Sequence, residues 1–260
     1  MASAPSASDA ALRSPVLLGR FAQATEGDLA NTSLLRRYDR KFLIPRARLS
    51  DVLSCLGPQY KIVASRGSEI ATYRTTYFDT PDLRLFRDHV RGKKPRFKVR
   101  IRHYLERRCS FLEIKQKTNR GETRKSRLEL PFGQDQLEEA GKAFVREHCP
   151  VDVKSLQASL STHFLRITLV EPGLGERVTC DQGISFSRGG ESHTLPSLVV
   201  AEVKQCEGRM STPFLQSLRA GDARQSRFSK YAVGVAMAGG ADLVHHLRAS
   251  LRLIGKLAHG

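Results

Sequence analysis

The sequence is poor in cysteine and has no long hydrophobic run. Its five cysteines are widely spaced and form no CxxC pair. An odd number of isolated cysteines argues against a disulfide framework and a cysteine-ligated zinc site, and it fits a reducing compartment. No apolar segment reaches the roughly 18 residues that a membrane-spanning helix needs, and the N-terminus lacks a signal-peptide pattern. We therefore expect a protein of the cytoplasm.

Acidic residues are also scarce. The chain has 43 Lys and Arg residues against 26 Asp and Glu residues, which gives a formal net charge of +17. Such an excess indicates an anionic partner: a nucleic acid, a membrane surface or a phosphorylated small molecule. No GxxxxGK[ST] loop is present, so a P-loop kinase is excluded. Specific nucleic-acid binding is disfavoured because few aromatic residues alternate with the basic ones and no nucleic-acid-binding motif appears.

The stretch RFKVRIRHY, residues 96–104, shows where part of this charge lies. Phe97, Val99 and Ile101 alternate with Arg and Lys residues, and a period of two predicts a β-strand with one apolar and one cationic face. Two unit charges about 5 Å apart repel each other by roughly 3 kcal/mol at an effective dielectric constant of 20. A row of cations without an anion therefore indicates that an anionic ligand binds on that face.

Similar alternation recurs along the chain and predicts an α+β fold. Strands are expected at 36–44, 71–79, 96–104, 110–117, 124–130, 163–170, 176–186 and 197–205. Helices are expected at 45–57, 80–89, 134–148 and 212–220. Short polar turns between several strands are typical of an antiparallel sheet. Because charged residues share one face of nearly every strand, closing this sheet would give a barrel with a charged lumen and helices packed on its apolar outside.

Three segments are expected. Residues 1–32 are rich in Ala and Ser and predict a flexible N-terminal arm. Residues 33–240 are expected to form one domain, since no linker interrupts them. Residues 241–260 predict a basic amphipathic C-terminal helix, which would pack on its own domain or bind a membrane surface or a membrane protein. The apolar residues near one stripe of this helix are Leu243, Leu247, Leu251, Ile254 and Leu257.

Seven motifs, taken together and in order, resemble the VTC domain. This is the catalytic domain of the yeast vacuolar transporter chaperone, a polyphosphate polymerase among the triphosphate tunnel metalloenzymes. The motifs are RRYDRKFLI, TTYFDT, KVRIRHY, FLEIKQKTNRGETRKSR, ERVTCD, VVAEVKQ and RFSKY, within about residues 34–236. The resemblance implies a closed antiparallel barrel of eight strands. It also implies transfer of the γ-phosphate of ATP to a growing inorganic polyphosphate chain, with Mn²⁺ or Mg²⁺ as cofactor.

The resemblance also implies roles for individual residues. Catalytic roles fall to Arg100, Arg102, Lys115 and Arg166. Binding of the phosphates of ATP and polyphosphate falls to Lys41, Arg177 and Lys230, and the strand-face pattern adds Lys98, Lys117, Arg127 and Lys204. Glu202 is implied as a metal ligand, with Glu113 as a second one. One or two carboxylates that bind Mg²⁺ or Mn²⁺ together with phosphate oxygens are the usual arrangement at such sites.

Two alternatives stay open. A tri- or polyphosphatase of the same fold would use water as the nucleophile, and relatives of that kind carry an ExExK pattern in the first strand. The matching residues here are Arg37, Asp39 and Lys41, and a cation at the first acidic position favours the polymerase. A module that binds polyphosphate or nucleotide without turnover would share nearly all of these residues, although loss of the metal carboxylates would be expected there and Glu202 is present.

Overall fold

The computed structural model describes residues 18–32, 37–206, 211–239, 244, 245 and 247–259. These residues contain eleven β-strands and seven α-helices. The strands are β1 (Arg37–Pro45), β2 (Lys61–Ile62), β3 (Ile70–Asp79), β4 (Arg96–Tyr104), β5 (Cys109–Lys117), β6 (Thr123–Leu130), β7 (Gln157–Glu171), β8 (Glu176–Arg188), β9 (Glu191–Leu195), β10 (Leu198–Cys206) and β11 (Arg224–Gln225). The helices are α1 (Glu26–Asn31), α2 (Leu49–Ser54), α3 (Arg84–Val90), α4 (Glu139–His148), α5 (Pro213–Ala220), α6 (Lys230–Met237) and α7 (Arg248–His259).

The strands form one antiparallel sheet, which confirms the expected α+β class. Their order is β11-β1-β10-β8-β7-β3-β4-β5-β6, with β2 paired to β7 and β9 paired to β8. Residues that pair directly lie on the same face of a sheet. Lys41 pairs with Glu202 between β1 and β10, and Arg166 pairs with Asp181 between β7 and β8. The sheet thus brings charged residues from distant parts of the chain to one face.

The expected closed barrel of eight strands is not confirmed. The strand order ends at β11 and β6, and no pairing joins these ends in the described part of the chain. The physical reason lies at β1, whose outer edge is occupied: Leu43 pairs with Arg224 of β11, and the Ser226 amide donates to the Lys41 carbonyl at 2.9 Å. Lys41 of β1 and Lys125 of β6 still line one cavity. The sheet therefore curves into an open trough, and we call the face with this cavity concave.

The convex face of the trough is apolar and covered by helices, as expected. Ile167 and Val203 of the sheet belong to a buried cluster with Leu53 of α2 and residues of α5. Val99 and Leu112 belong to a second cluster that includes a side chain of α4. Full burial of such a side chain contributes roughly 1.5–3 kcal/mol. These two clusters therefore hold the helices on the outside of the sheet.

The concave face is charged in one part only, whereas the sequence predicted a lumen that is charged throughout. Leu43, Leu160 and Val200 lie on this face, and they form a buried cluster with residues of α6. Helix α6 enters so closely that a Cβ atom added to Gly234 would lie 2.6 Å from side-chain atoms of Leu160 and Phe186. A larger residue at this position would displace the helix. Helix α6 therefore fills one end of the trough.

Both terminal segments pack on the sheet where the structure describes them. Leu18 and Phe21 are buried in the cluster with Ile167, and α1 follows, so residues 18–32 are an ordered part of the fold rather than a loose arm. Residues 1–17 lie outside the described residues.

The C-terminal amphipathic helix is present as α7. Ile254 is buried in the cluster around α6, and Leu251 and Leu257 pack against the same cluster. Leu243 lies outside the described residues. The apolar side of α7 thus faces its own domain. Among the described residues, no helix combines the length and the apolar character needed to cross a bilayer.

Asp79, at the end of β3, connects two helices through its buried carboxylate. Its oxygens accept hydrogen bonds from the amides of Leu85 and Phe86, both at 2.8 Å, in the first turn of α3. They also accept a hydrogen bond from the hydroxyl of Tyr231 in α6. Hydrogen bonds to a buried charged group contribute about 1.5–3 kcal/mol each. This network therefore fixes α3 and α6 relative to β3.

His103 forms a second buried network on the convex face of β4. Its Nδ1 atom lies 2.7 Å from Oγ of Ser110, and its Nε2 atom lies 2.8 Å from a carboxylate oxygen of Asp135. A carboxylate only accepts, so Nε2 carries the proton and the Ser110 hydroxyl donates to Nδ1. The three residue types match a hydrolase triad, but Ser110 is completely buried. The network is therefore structural and ties β4 and β5 to the turn that follows β6.

We expect the protein to lose stability as the pH falls below about 6.5, the usual pKa of histidine. Burial lowers the pKa of His103 and outweighs the opposing effect of Asp135. Between the two pKa values the folded protein binds fewer protons than the unfolded chain. The free energy of unfolding therefore falls with decreasing pH, by at most about 1.4 kcal/mol per pH unit for this group.

Urea unfolding between about pH 7.5 and about pH 5.5 measures this loss. A His103→Gln variant should lose less stability over the same interval, because Gln does not titrate. Equal losses in the two proteins would show that His103 is not responsible.

Candidate functional site

The concave face holds a cavity of about 480 Å³. Its cationic lining residues are Lys41, Arg96, Lys98, Arg100, Arg102, Lys115, Lys117, Lys125, Arg166, Lys204 and Lys230. Asp39 and Glu202 are the carboxylates that line it among the described residues. A larger cavity of about 930 Å³, between the start of α2 and α7, has a mixed apolar and polar lining. We place the functional site in the smaller cavity because the charged side chains converge there.

Three strands, β4 to β6, contribute seven of these cations, and five of the seven form two rows across the sheet. Lys98, Lys115 and Lys125 pair directly from strand to strand and form one row, which we call the lysine row. Arg96 and Lys117 pair in the next row. Neighbouring strands lie about 4.8 Å apart, so the charges within a row repel one another. This wall of the cavity is therefore built to face an anion.

Glu113 follows below the lysine row and is paired with arginine. Its Oε2 atom accepts from Nε of Arg100 at 2.7 Å and lies 2.6 Å from Nη2 of the same guanidinium. The hydroxyl of Tyr104 donates to its second oxygen at 3.2 Å. Burial alone would raise the pKa of Glu113, but the charges of Arg100 and Arg102 lower it to about 2. Glu113 thus stays ionised and orients Arg100.

Asp181 holds two cations on the other wall. Arg166 donates from two nitrogens to the two carboxylate oxygens, at 2.5 and 2.8 Å, and Lys230 at the start of α6 donates to one of them. Burial opposes ionisation of Asp181, but these two charges hold its pKa well below the usual range. Desolvation lowers the pKa of Lys230 to about 8 despite the carboxylate. This buried group attaches α6 to β7 and β8.

Glu202 is the carboxylate of β10 that faces the cavity. It lies 2.6 Å from Nζ of Lys204 and 3.9 Å from Nζ of Lys41. Burial would raise its pKa, but these lysines hold it far below the usual range. Its side chain keeps 22% of its exposure, so a ligand in the cavity can reach it. Glu202 therefore combines a permanent negative charge with access to the cavity.

Aromatic rings lie under several of the cations. Tyr73 and Phe164 stack with their ring centroids 5.1 Å apart. The guanidinium of Arg166 lies over both rings, at 4.9 and 5.3 Å, and that of Arg102 lies 5.6 Å from the centroid of Tyr73. Nζ of Lys230 lies 4.3 Å from the centroid of Phe164. A cation over an aromatic face gains about 0.5–2 kcal/mol, so these rings support the cations without neutralising them.

Lys98, the β4 member of the lysine row, also contacts α3 and the residue that precedes α6. Its Nζ atom donates to Oγ of Ser229 at 2.9 Å and lies 3.3 Å from Nε2 of His89 in α3. Desolvation, followed by the charges of Lys41 and Lys115, lowers the pKa of Lys98 well below its usual value. Desolvation and the charge of Lys98 lower the pKa of His89 to about 2, so the imidazole is neutral and accepts from Lys98.

The structure brings most of the expected site residues together. Ten of them line the cavity: Lys41, Lys98, Arg100, Arg102, Lys115, Lys117, Arg166, Glu202, Lys204 and Lys230. Glu113 lies behind Arg100. Arg127 pairs with Glu113 across β5 and β6, but its guanidinium lies over the ring of Phe111, 5.0 Å from the centroid, and does not line the cavity. Arg177 pairs with Lys204 and is likewise not part of the cavity lining.

Sequence reasoning assigned no site role to His89, Ser229, Phe164 or Tyr77, although all four line the cavity. Phe164 was within reach, because it is two residues from Arg166 and so lies on the same face of β7. His89 lies on a helix and Ser229 in the loop before α6, where strand periodicity carries no signal.

Comparisons with known proteins identify a family. The family model of the VTC domain matches residues 36–238. No curated protein matches the chain. A Bacillus halodurans protein, described as a candidate adenylate cyclase, is 15% identical with a TM-score of 0.46 over 74% of this chain and 92% of that chain. A Hippeastrum protein, described as a candidate adenylyl cyclase with a dominant triphosphatase activity, is 17% identical and has a TM-score of 0.46. The match covers 76% of this chain and 94% of that chain. A conserved hypothetical protein of Pyrococcus furiosus is 12% identical and has a TM-score of 0.42, and the match covers 76% of this chain and 99% of that chain.

We expect Asp181→Asn to destabilise the protein by up to about 3–5 kcal/mol, because it leaves two largely buried cations, Arg166 and Lys230, without their counter-charge. An anion in the cavity supplies the missing charge. Tripolyphosphate should therefore raise the melting temperature of Asp181→Asn by more than that of the unmodified protein.

Thermal unfolding with and without tripolyphosphate tests this. Asp51→Asn is the matched control, because Asp51 is a surface residue that pairs with the exposed Arg48. Its melting temperature and its response to the anion should stay unchanged. An Asp181→Asn protein with ordinary stability would show that the cations do not need this carboxylate.

Proposed function

Because this chain belongs to the VTC domain family, we propose that it is a polyphosphate polymerase that transfers the γ-phosphate of ATP to a growing polyphosphate chain. The observation that supports this most is the convergence of eleven Lys and Arg side chains on one cavity. Guanidinium forks and ammonium groups are the preferred partners of phosphate oxygens, so a linear polyanion fits this surface. All five cysteines are free thiols, which supports the cytoplasm as the place of the reaction.

In the proposed reaction the cavity cations bind the triphosphate of ATP and the end of the polyphosphate chain next to each other. A terminal oxygen of the acceptor attacks the γ-phosphorus. The bond from this phosphorus to the bridging oxygen breaks, and ADP leaves with the electron pair. Such a transfer needs mainly positioning and neutralisation of charge. The attacking oxygen is already anionic, so no general base is needed, in agreement with a site whose carboxylates pair with cations.

The walls suggest a division of roles. We assign the reacting phosphates to Arg100, Arg102, Lys115 and Arg166. Arg100 and Arg166 are each held by a carboxylate, Glu113 and Asp181, so both guanidinium groups are oriented before the substrate binds. We assign the remaining phosphates to Lys41, Lys98, Lys117, Lys204 and Lys230, which line the rest of the cavity. Arg127 and Arg177 would contact only a chain that extends past the cavity lining.

Glu202 fits the role of metal ligand, and Glu113 does not. Glu202 is ionised and lines the cavity next to the phosphate-binding cations, whereas Glu113 does not line the cavity and both of its oxygens are bound by Arg100 and Tyr104. No cluster of three or more His, Cys, Asp or Glu residues occurs among the described residues. Most ligands of a Mn²⁺ or Mg²⁺ ion at Glu202 would thus be phosphate oxygens and water, as is common for Mg²⁺. When bound, such an ion neutralises charge on the phosphate oxygens.

Incubation of the protein with ATP and Mn²⁺, with and without a short polyphosphate primer, tests the reaction. We expect long-chain polyphosphate on a gel and one ADP for each phosphate added. Free phosphate without polymer would identify a triphosphatase. Intact ATP together with bound polyphosphate would identify a binding module.

Arg100→Ala should lower polymer formation by about 10²- to 10³-fold, the usual effect of removing one preorganised donor to a transition state. Arg219→Ala is the matched control, because Arg219 is exposed on α5 and lies outside the cavity. Its activity should equal that of the unmodified protein. Equal activity in the two variants would show that Arg100 has no role in the reaction.

Glu202→Gln should separate binding from turnover. Removal of one negative charge leaves metal-free binding of tripolyphosphate intact or stronger, whereas polymer formation should fall by about 10²-fold with the loss of the metal ligand. Calorimetry and the gel assay give the two quantities. The exposed Glu139→Gln is the control. A Glu202→Gln protein with unchanged dependence on Mn²⁺ would remove Glu202 from the metal site.

A further inference from the structure

The balance of charge on β4 to β6 changes along the strands. Below the lysine row, the row of Arg100, Glu113 and Arg127 contains one carboxylate, which is bound by Arg100. The lysine row has no carboxylate. The next row, Arg96, Lys117 and Thr123, has none either and lies about 6.6 Å further along, since a strand rises about 3.3 Å per residue. The cavity wall therefore becomes purely cationic toward the ends of these strands.

Two turns continue this wall. Residues 91–95 lead into β4, and residues 118–122 join β5 to β6. Lys94 reaches across to the second turn, where its Nζ atom lies 3.8 Å from the position that a Cβ atom of Gly121 would occupy. Arg120 lies in the same turn, next to Gly121. The two turns thus lie against each other, and we call them the basic turns.

The carboxylates near the basic turns already pair with other cations. Asp88 pairs with Lys93 at 3.3 Å, and Glu122 pairs with Arg124 at 3.9 Å. Lys94 and Arg120 are exposed, and within the described parts of the chain neither forms an ion pair. Because Lys94 and Arg120 are exposed, the cationic wall continues to solvent at the basic turns.

We propose that the basic turns are a second binding surface, outside the cavity, for the polyphosphate chain that leaves or enters it. The identity of this anion rests on the proposed function, whereas the surface itself rests on the charge pattern. Tripolyphosphate that fills the cavity leaves the basic turns uncovered. A much longer chain that passes the lysine row and the row of Arg96 and Lys117 reaches Lys94 and Arg120. The surface therefore discriminates by chain length.

The experiment compares two ligands, tripolyphosphate and long-chain inorganic polyphosphate, by calorimetry without ATP or metal. In the double variant Lys94→Glu/Arg120→Glu, the dissociation constant for the long chain should rise by about tenfold or more. The dissociation constant for tripolyphosphate should stay within about twofold of that of the unmodified protein. The dependence of long-chain affinity on salt should also weaken, by about one unit of slope for each lost contact.

The matched control is Lys142→Glu/Arg219→Glu, which makes the same charge change on α4 and α5, away from the cavity. It should bind both ligands as the unmodified protein does. Long-chain affinity equal in the double variant and the control overturns the proposal, and so does an equal loss for both ligands. If the glutamates prevent folding, as judged by circular dichroism, Lys94→Gln/Arg120→Gln gives the same comparison with a smaller effect.

The outcomes also separate this surface from the proposed function. If the unmodified protein makes no polymer but the double variant binds the long chain more weakly, the binding surface is supported and the polymerase activity is refuted. If the unmodified protein makes polymer but all variants bind the long chain equally, the polymerase activity is supported and the binding surface is refuted. If the unmodified protein binds neither ligand, both proposals are refuted.

Discussion

The structure depends on a few carboxylates placed between many cations on one face of a curved sheet. The three groups are Asp181 with Arg166 and Lys230, Glu202 with Lys204 and Lys41, and Glu113 with Arg100 and Arg102. At about 4 Å, opposite charges attract by roughly 4 kcal/mol at an effective dielectric constant of 20, and like charges repel by as much. These groups let the face assemble without a ligand, but they leave an excess of positive charge on it.

The packing of the fold serves this face in two ways. The convex side buries its alternate residues under α2, α4 and α5, so the charged residues between them must point into the trough. On the concave side, α6 fills the apolar end and carries Lys230 to Asp181, with Ser229 next to Lys98. The buried carboxylate of Asp79 connects this helix to β3 and α3. The cavity is thus bounded by strands and by one helix held from the core.

The same pairing limits the chemistry of the site. Asp181 and Glu113 are bound to cations and have pKa values below the usual range, so neither is ready to accept a proton from water. Such a site favours an acceptor that is already anionic, as the end of a polyphosphate chain is. Glu202 differs, because its carboxylate reaches the cavity and fits a metal ligand. The proposed polymerase uses this contrast between oriented cations and the carboxylate of Glu202.

The sequence by itself determined eight of the eleven strands, their charged faces and most cavity residues, because a period of two is a local property that residues 96–104 display without any partner. The family followed from the resemblance of seven motifs in order. Only the tertiary structure decided that the sheet stays open, that α6 fills part of the concave face, and that Arg127 and Arg177 lie outside the cavity lining. It also decided that Lys230 meets Asp181 and that His89 meets Lys98. The physical reason is that these contacts join separate elements, whose distance depends on curvature and helix packing rather than on local alternation.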